Sequence, residues 1–319
     1  MSATGSLRRL VPLAGLAAAG ALVLAGCGDD TADAGSAEAA GERVVSTPNG
    51  DVEIPADPQA VATLNWTVPA VLVDLGITPV AIPNGQDDPA ATPQRYVDAL
   101  ADVPRIGDWN TLDFEGLLGL EPDLIVGDTW DNYERASDIA PTVETGSDES
   151  WQGIAAAVAD AVGRTDELEE LKARYDERLD ELRTEYEPEL TGNQWVSISG
   201  TADGQWLHEQ RLTPTGALLA EVGATLLPIS DVDAWWSDPY AMEALDQLTG
   251  ADVILHTATL DGEPAEMTRP VLEHPLFAPL PAAQAGHVYG FGHGGMTSYG
   301  WALEALDTLE EILVELRSS

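Results

Sequence analysis

The sequence predicts an α/β protein with two similar lobes on either side of a long helical segment. From Val44 onward, short β-branched runs alternate with helical ones, which is typical of α/β architecture. Between Trp151 and about Tyr186 there is no proline, and apolar residues recur at spacings of three and four. A helix-to-strand unit that precedes this segment is repeated after it.

In the first half of the chain, glycine and proline mark the ends of the predicted helices. Gly76 closes the first helix, and Pro122 stops the second one just before a strand. The predicted elements are a strand at 60–64, a helix at 69–75, a strand at 80–82, a helix at 113–120 and a strand at 124–126.

The second half repeats the alternation after the long helical segment. Within that segment the only glycines are Gly153 and Gly163, and a break near Gly163 is expected. The order of Glu, Leu, Leu and Asp at 115–126 is echoed at 243–255, which supports two similar lobes. The predicted elements are a strand at 195–199, helices at 215–222 and 243–248, and a strand at 252–255.

The N-terminus carries a secretory signal that ends at the only cysteine of the chain, Cys27. A basic pair at 8–9 precedes an apolar segment at 10–24, which is shorter than the roughly 20 residues of a membrane-spanning helix. The Leu-Ala-Gly-Cys sequence resembles a bacterial lipoprotein lipobox, which implies acylation of Cys27 after removal of residues 1–26. An ordinary exported protein is the alternative, and the general secretory and twin-arginine routes both stay open.

The chain is strongly acidic. It contains 14 Lys and Arg against 55 Asp and Glu, a formal net charge of −41. Such a surface repels nucleic acid and anionic lipid head groups, so neither is expected as a partner. It favours a neutral or cationic ligand, although adaptation of the surface to salt explains the same composition. Residues 28–42 contain only small and acidic types and predict a flexible tether.

Nine tryptophans are many for this length, and most lie where a predicted strand ends and a loop begins. Open α/β sheets bind ligands in the loops beyond their strand ends. We therefore predict an aromatic cleft, because aromatic walls give large apolar contact with few polar groups. Packing inside a lobe explains any single tryptophan equally well. The tryptophans concerned are Trp66, Trp109, Trp130, Trp206, Trp235, Trp236 and Trp301.

Signals for catalysis or for a resident metal are weak. No Gly-x-Ser-x-Gly segment of a hydrolase occurs in the chain. The five histidines are scattered without the paired spacing of a metal site, and no second cysteine can join them. The sequence therefore predicts no catalytic residues, no cofactor and no directly bound metal ion.

Five segments carry a family resemblance that runs over about residues 43–319. They lie at 58–62, 75–80, 120–126, 139–143 and 282–289. In this order and spacing they resemble the siderophore, haem and cobalamin class of ABC-transporter substrate-binding proteins.

The resemblance implies two Rossmann-like lobes joined by one long rigid helix, the architecture of a class III substrate-binding protein. A single-helix linker implies a small closing motion. The expected segments are a lipoprotein signal peptide at 1–26, a tether at 27–42, an N-terminal lobe at 43–149, a linker helix at 150–188 and a C-terminal lobe at 189–319.

The resemblance also implies a function. The protein would capture a ferric siderophore in the cleft and deliver it to an ABC permease and its ATPase. It would act as a monomer on the outer face of the cell membrane, anchored by lipid on Cys27. A hydroxamate is favoured, because a ferric catecholate carries about three negative charges and would need a cluster of Arg or Lys.

Three alternatives stay open. Haem is suggested by His293 and Met296, whose side chains can both ligate iron. Cobalamin belongs to the same family of ligands. A cell-surface enzyme that processes siderophores is the third alternative.

The expected ligand contacts follow from the aromatic loops and the scarce cations. Arg211 is the best candidate to reach iron-bound oxygens, with Tyr133 or Tyr299 assisting, although a surface salt bridge explains Arg211 equally well. The full set is Trp66, Trp109, Trp130, Tyr133, Trp206, His208, Arg211, Trp236 and Tyr299.

Two glutamates are candidates for contact with the permease. By resemblance, Glu115 and Glu243 would each dock one lobe on arginines of the permease. Each also lies at the start of a predicted helix, where the helix dipole stabilises a carboxylate by about 0.3–1 kcal/mol without any partner.

Overall fold

The computed structural model describes residues 41–319 except 86–87, 109 and 147–149. The expected signal peptide, Cys27 and nearly all of the expected tether lie outside the described residues, as does Trp109. The first strand begins at Glu42.

Strands and helices alternate along the described chain. The strands are β1 Glu42–Thr47, β2 Gly50–Pro55, β3 Val61–Ala62, β4 Leu124–Val126, β5 Thr142–Val143, β6 Gln194–Gly200, β7 Trp206–His208, β8 Thr225–Leu226, β9 Val253–Thr257 and β10 Val288–Phe291. The α-helices are α1 Val68–Asp74, α2 Gln94–Leu100, α3 Phe114–Gly119, α4 Tyr133–Ser137, α5 Trp151–Val162, α6 Thr165–Glu185, α7 Glu187–Thr191, α8 Pro214–Glu221, α9 Arg269–Leu272, α10 Pro281–Ala285 and α11 Tyr299–Ser318. Two 3₁₀ helices span Trp130–Asn132 and Met242–Gly250.

Each lobe is built on its own sheet. In the N-terminal lobe β3, β4 and β5 pair in parallel, and β1 and β2 form a separate antiparallel hairpin. The strand predicted at 80–82 is reduced to single bridges at Ala81 and Ile82. In the C-terminal lobe the order is β10-β9-β6-β7, with β8 beside β6, and only β7 runs antiparallel. The prediction of an α/β protein with two lobes is confirmed.

The repeated helix-to-strand unit is present in both lobes, in two forms. In the first lobe α3 leads into β4, and in the second the 3₁₀ helix Met242–Gly250 leads into β9. The second helix is therefore wound more tightly than the first.

The helical connection between the lobes is divided into α5 and α6. Gly163 separates them with a φ of +67°, a left-handed conformation that glycine adopts without steric cost. The expected break is confirmed at this residue, so the connection consists of two consecutive helices in place of one.

One hydrophobic core passes from lobe to lobe. It includes residues of β3, α1, α5, α6, β9, β10 and α11. The C-terminal helix α11 packs against α6 and also reaches α1, so it forms a second connection that the sequence did not predict. A continuous core of this kind resists large changes in the angle between the lobes.

A partly buried polar cluster joins the lobes beside this core. We call it the interlobe latch; its members are Asp74, Arg95, Tyr96, Ser298 and Gly300. The Asp74 side chain is 2% exposed and lies 2.9 Å from Nη1 of Arg95. It also accepts hydrogen bonds from the Tyr96 hydroxyl at 3.0 Å and from the Gly300 backbone N–H at 2.9 Å. Tyr96 in turn pairs with Ser298 at 2.9 Å.

Candidate functional site

A pocket of about 330 Å³ opens where the two lobes and the helical connection meet. Trp66 and Thr67 come from the loop between β3 and α1, and Trp151 and Ile154 from the first turn of α5. The C-terminal lobe adds the remaining wall residues: Pro214 of α8, Trp235 and Trp236 before the second 3₁₀ helix, and Gly294, Met296 and Thr297 between β10 and α11.

The walls of this pocket carry no charged side chain among the described residues. They consist of four tryptophans, three other apolar side chains, two threonines and a glycine. Trp66 and Trp236 are each 44% exposed, so much of their ring surface is available for contact. Such a pocket suits an uncharged, partly apolar surface of a ligand, because burial of an uncompensated charge here would cost several kcal/mol.

A short antiparallel ladder holds the tryptophans of the C-terminal lobe in place. The backbone N–H of Gln210 donates to the carbonyl of Trp235 at 3.0 Å, and that of Leu212 donates to Ala234 at 3.0 Å. Arg211 lies on this ladder, and its guanidinium pairs with the carboxylate of Asp231. Since Arg211 is engaged by Asp231 and does not line the pocket, the structure favours the surface salt bridge over contact with ligand.

Three expected ligand contacts are buried elsewhere. Trp206 belongs to β7, is fully buried, and stacks on Tyr240 with ring centroids 4.9 Å apart. His208 is 1% exposed, and its Nδ1 pairs with the Ser230 hydroxyl at 3.0 Å. Tyr299 packs against Trp151 behind the pocket wall, with ring centroids 4.9 Å apart. The expected loop after β6 is in fact the returning strand β7, which carries Trp206 and His208 into the core.

Two further expected contacts follow β4 but do not line the pocket. Trp130 is 38% exposed at the start of a 3₁₀ helix, and Tyr133 begins α4. Trp130 has a φ of +48°, a rare conformation for a bulky residue, and its backbone N–H donates to Asp128 at 2.8 Å. Both residues lie on the N-terminal lobe.

The residues that suggested haem have other partners. His293 is 4% exposed; its Nδ1 accepts from the indole N–H of Trp301 at 3.1 Å, and its Nε2 pairs with the Thr308 hydroxyl at 2.9 Å. Both ring nitrogens are therefore engaged inside the protein. Met296 is fully buried in the core, although it contributes to the pocket wall.

Burial perturbs two ionisable groups around the pocket in opposite directions. Glu209 lies beneath the loop of Gly294; burial raises the pKa of its carboxyl to about 6, and hydrogen bonds from Thr215, Thr213 and Ser197 limit the rise. Burial lowers the pKa of His293 to about 4, so its imidazole is neutral at pH 7.

The His293 environment predicts a loss of stability in acid. An unfolded histidine titrates near pH 6.5, so acidification protonates the unfolded chain first and favours it. The contribution of the neutral His293 imidazole to the free energy of unfolding is complete above pH 6.5 and is lost as the pH falls toward 4. The total loss is about 3 kcal/mol. Urea unfolding of wild type and His293→Gln between pH 7.5 and 4.5 should show the advantage of the wild type shrinking in acid.

Glu209 acts in the opposite direction, since its raised pKa stabilises the fold below pH 4.5 and that contribution is lost as the pH rises through 6. The quantity to compare is therefore the difference in the free energy of unfolding between wild type and His293→Gln at each pH. The Glu209 contribution is the same in both proteins and cancels. A difference that stays constant across the pH range would contradict the assignment to His293.

The two glutamates expected at the permease interface lie on the surface of different lobes. Glu115 is exposed in the first turn of α3, where the Asp113 side chain accepts from the backbone N–H of Gly116 at 2.9 Å. Glu243 is exposed in the first turn of the 3₁₀ helix Met242–Gly250. Each position allows both a capping role and contact with a partner.

Sequence reasoning missed part of the pocket. Trp151 and Thr297 were not expected in it, because a tryptophan after a helix-capping serine and a threonine in a loop have many structural explanations. The adjacent tryptophans at 235 and 236 were the available signal for that wall.

The described ranges lack two other structural features. No group of three or more His, Cys, Asp or Glu side chains there is arranged to hold a metal ion. None of the helices there combines the length and apolar character that crossing a bilayer requires.

Comparisons with known proteins agree on one family. The model of the periplasmic binding protein family matches residues 61–293. A Bacillus subtilis protein, YhfQ, whose name describes an ABC transporter substrate-binding lipoprotein, is 28% identical over 75% of this chain and 78% of its own length. The Fe(3+)-citrate-binding protein YfmC of Bacillus subtilis is 26% identical and covers 84% of each chain.

A solved structure gives the same result. The siderophore periplasmic binding protein from the fuscachelin gene cluster of Thermobifida fusca superimposes with a TM-score of 0.71 and 26% identity. The match covers 82% of this chain and 98% of that one.

Proposed function

Because the chain belongs to the periplasmic binding protein family, we propose that it is the substrate-binding protein of an ABC importer for a ferric siderophore. The names of its relatives support the proposal. They describe a lipoprotein of an ABC transporter, an Fe(3+)-citrate-binding protein and a siderophore binding protein. The observation that carries the choice of ligand is the uncharged aromatic pocket between the lobes.

The pocket favours a ferric hydroxamate over anionic iron complexes. A ferric catecholate or ferric citrate brings net negative charge, which requires nearby Arg or Lys to offset its desolvation. Within the described residues the pocket wall offers neither, and Arg211 is paired with Asp231. The net charge of −41 acts in the same direction, since it repels anions and attracts the cationic amine of a ferrioxamine.

Haem is a weaker candidate. His293 would have to give up its bonds to Trp301 and Thr308 before it could ligate iron. Cobalamin has no specific observation in its favour.

We infer that the protein binds and releases its ligand without chemical turnover. The relatives that it resembles are named as binding proteins, and no catalytic group lines the pocket among the described residues. A cell-surface enzyme that processes siderophores therefore has no support from this site.

The proposed place of action is the outer face of the cell membrane. There the chain would be a monomer anchored by lipid on Cys27, and it would deliver ligand to a permease and its ATPase. The name of the relative YhfQ as a lipoprotein of an ABC transporter supports this arrangement.

Delivery is expected to depend on Glu115 and Glu243. Replacement of both by alanine should lower siderophore uptake by cells at least tenfold, because exposed carboxylates on each lobe would no longer pair with arginines of the permease. Ligand affinity should stay unchanged. Glu121→Ala, another exposed glutamate that follows α3, serves as the control. Normal uptake by the double variant would remove both residues from the interface.

The function is tested by titration of tryptophan fluorescence with ferrioxamine B, a ferric catecholate, ferric citrate, haemin and cobalamin. We expect saturable quenching at submicromolar ferrioxamine B with little response to the anionic complexes. Tight binding of ferric citrate or catecholate would contradict the assignment to hydroxamates, and a Soret shift with haemin would restore the haem alternative.

A further inference from the structure

Two buried polar atoms have no hydrogen-bond partner among the described residues. They are Nε1 of Trp151 and Oγ1 of Thr297, both on residues that line the pocket. Trp151 is 5% exposed and Thr297 is 3% exposed. A buried polar group without a partner is uncommon in native proteins and costs about 1–3 kcal/mol, so each such group needs an explanation.

Both groups sit on firmly held parts of the structure. The indole of Trp151 packs edge-on against Tyr175 and Tyr299, at centroid distances of 5.8 and 4.9 Å. Thr297 lies between the buried Met296 and Ser298, the residue that caps α11. Their unpaired state therefore does not reflect freedom to turn elsewhere.

The chemistry of the two groups defines what they can bind. An indole N–H only donates, and a threonine hydroxyl can donate as well as accept, so the shared requirement is an acceptor oxygen on the ligand. The pocket wall has no cation among the described residues, which disfavours a carboxylate or catecholate oxygen. A neutral carbonyl oxygen of an amide or hydroxamate meets both conditions.

We propose that Trp151 and Thr297 are specificity-determining residues that hydrogen-bond a neutral amide or hydroxamate carbonyl oxygen of the ligand. The inference rests on the proposed function and extends it, because it assigns the orienting polar contacts within an otherwise apolar pocket. The rings of Trp66 and Trp236 supply contact area, whereas Trp151 and Thr297 select the chemical group of the ligand.

The test uses the threonine, because valine has the same shape without the hydroxyl. Calorimetric titration with ferrioxamine B should show that Thr297→Val weakens binding about three- to tenfold, whereas Thr297→Ser stays close to wild type. Thr145→Val is the matched control, since Oγ1 of Thr145 is also buried and unpartnered but does not line the pocket. Trp151→Phe, which removes the indole N–H, should weaken binding by a similar or larger factor.

A second readout separates a ligand contact from a structural role. Removal of a buried unpaired hydroxyl should leave the melting temperature of the unliganded Thr297→Val protein unchanged or slightly raised. A structural role would lower it. If wild type binds ferrioxamine B and both variants bind equally well, the proposal is overturned while the proposed function stands. If wild type binds none of the ferric complexes, the function fails and this proposal fails with it.

Discussion

Replacing both Trp66 and Trp236 with alanine is expected to weaken binding of ferrioxamine B at least a hundredfold. The two rings stand on opposite lobes at the mouth of the pocket and are each 44% exposed in the unliganded protein. Burial of a large apolar side chain against a ligand contributes about 1.5–3 kcal/mol, so two such losses amount to two to four orders of magnitude in affinity. Calorimetric titration measures the change directly.

Trp130→Ala is the matched comparison, because Trp130 has similar exposure, 38%, but does not line the pocket. It should bind nearly as wild type does. An affinity unchanged in the double variant would place the ligand outside this pocket, and an equal loss in Trp130→Ala would move the site toward the N-terminal lobe.

Disruption of the interlobe latch is expected to lower the stability of the fold substantially. Asp74→Ala should lower the free energy of unfolding by about 2–4 kcal/mol, because it removes the buried carboxylate that accepts from Arg95, Tyr96 and the Gly300 N–H. This loss of stability is smaller than for a wholly buried pair, since the Arg95 side chain is 43% exposed and its guanidinium can be hydrated in the variant. Urea unfolding gives the magnitude, and faster hydrogen exchange of the Gly300 amide gives the location.

The control for the latch is Asp231→Ala, which removes the other arginine–aspartate pair discussed above. That carboxylate is 46% exposed, so its loss should cost less than about 1 kcal/mol. Similar losses for the two variants would show that burial of Asp74 adds nothing. Gly300→Ala should imitate the latch defect, because a Cβ there would lie 2.6 Å from both carboxylate oxygens of Asp74.

Much of the fold was readable from local patterns. Short β-branched runs predicted β4, β6 and β9 to within a few residues, and Gly163 predicted the break in the helical connection. These features depend on periodicity and backbone conformation, which neighbouring residues determine. The hairpin of β1 and β2 and the bridging helix α11 were not predicted, because nothing in a local pattern says which lobe a helix will contact.

The pocket was less readable than the fold. Trp66 and Trp236 line it, as strand-end tryptophans were expected to do. Trp206 and His208 follow a strand in the same way, but the chain reverses at once into β7 and carries them into the core. Arg211 pairs with Asp231, a partner twenty residues away that no spacing rule identifies. Contacts between distant segments decided each of these outcomes.

A crystal structure of the protein with bound ferrioxamine B is the decisive test of an uncharged aromatic site. We expect the iron complex between Trp66 and Trp236, with a carbonyl oxygen within hydrogen-bond distance of the Trp151 indole N–H. A complex bound elsewhere, or held in this cleft by arginine side chains that had moved to meet it, would contradict the claim of an uncharged aromatic site.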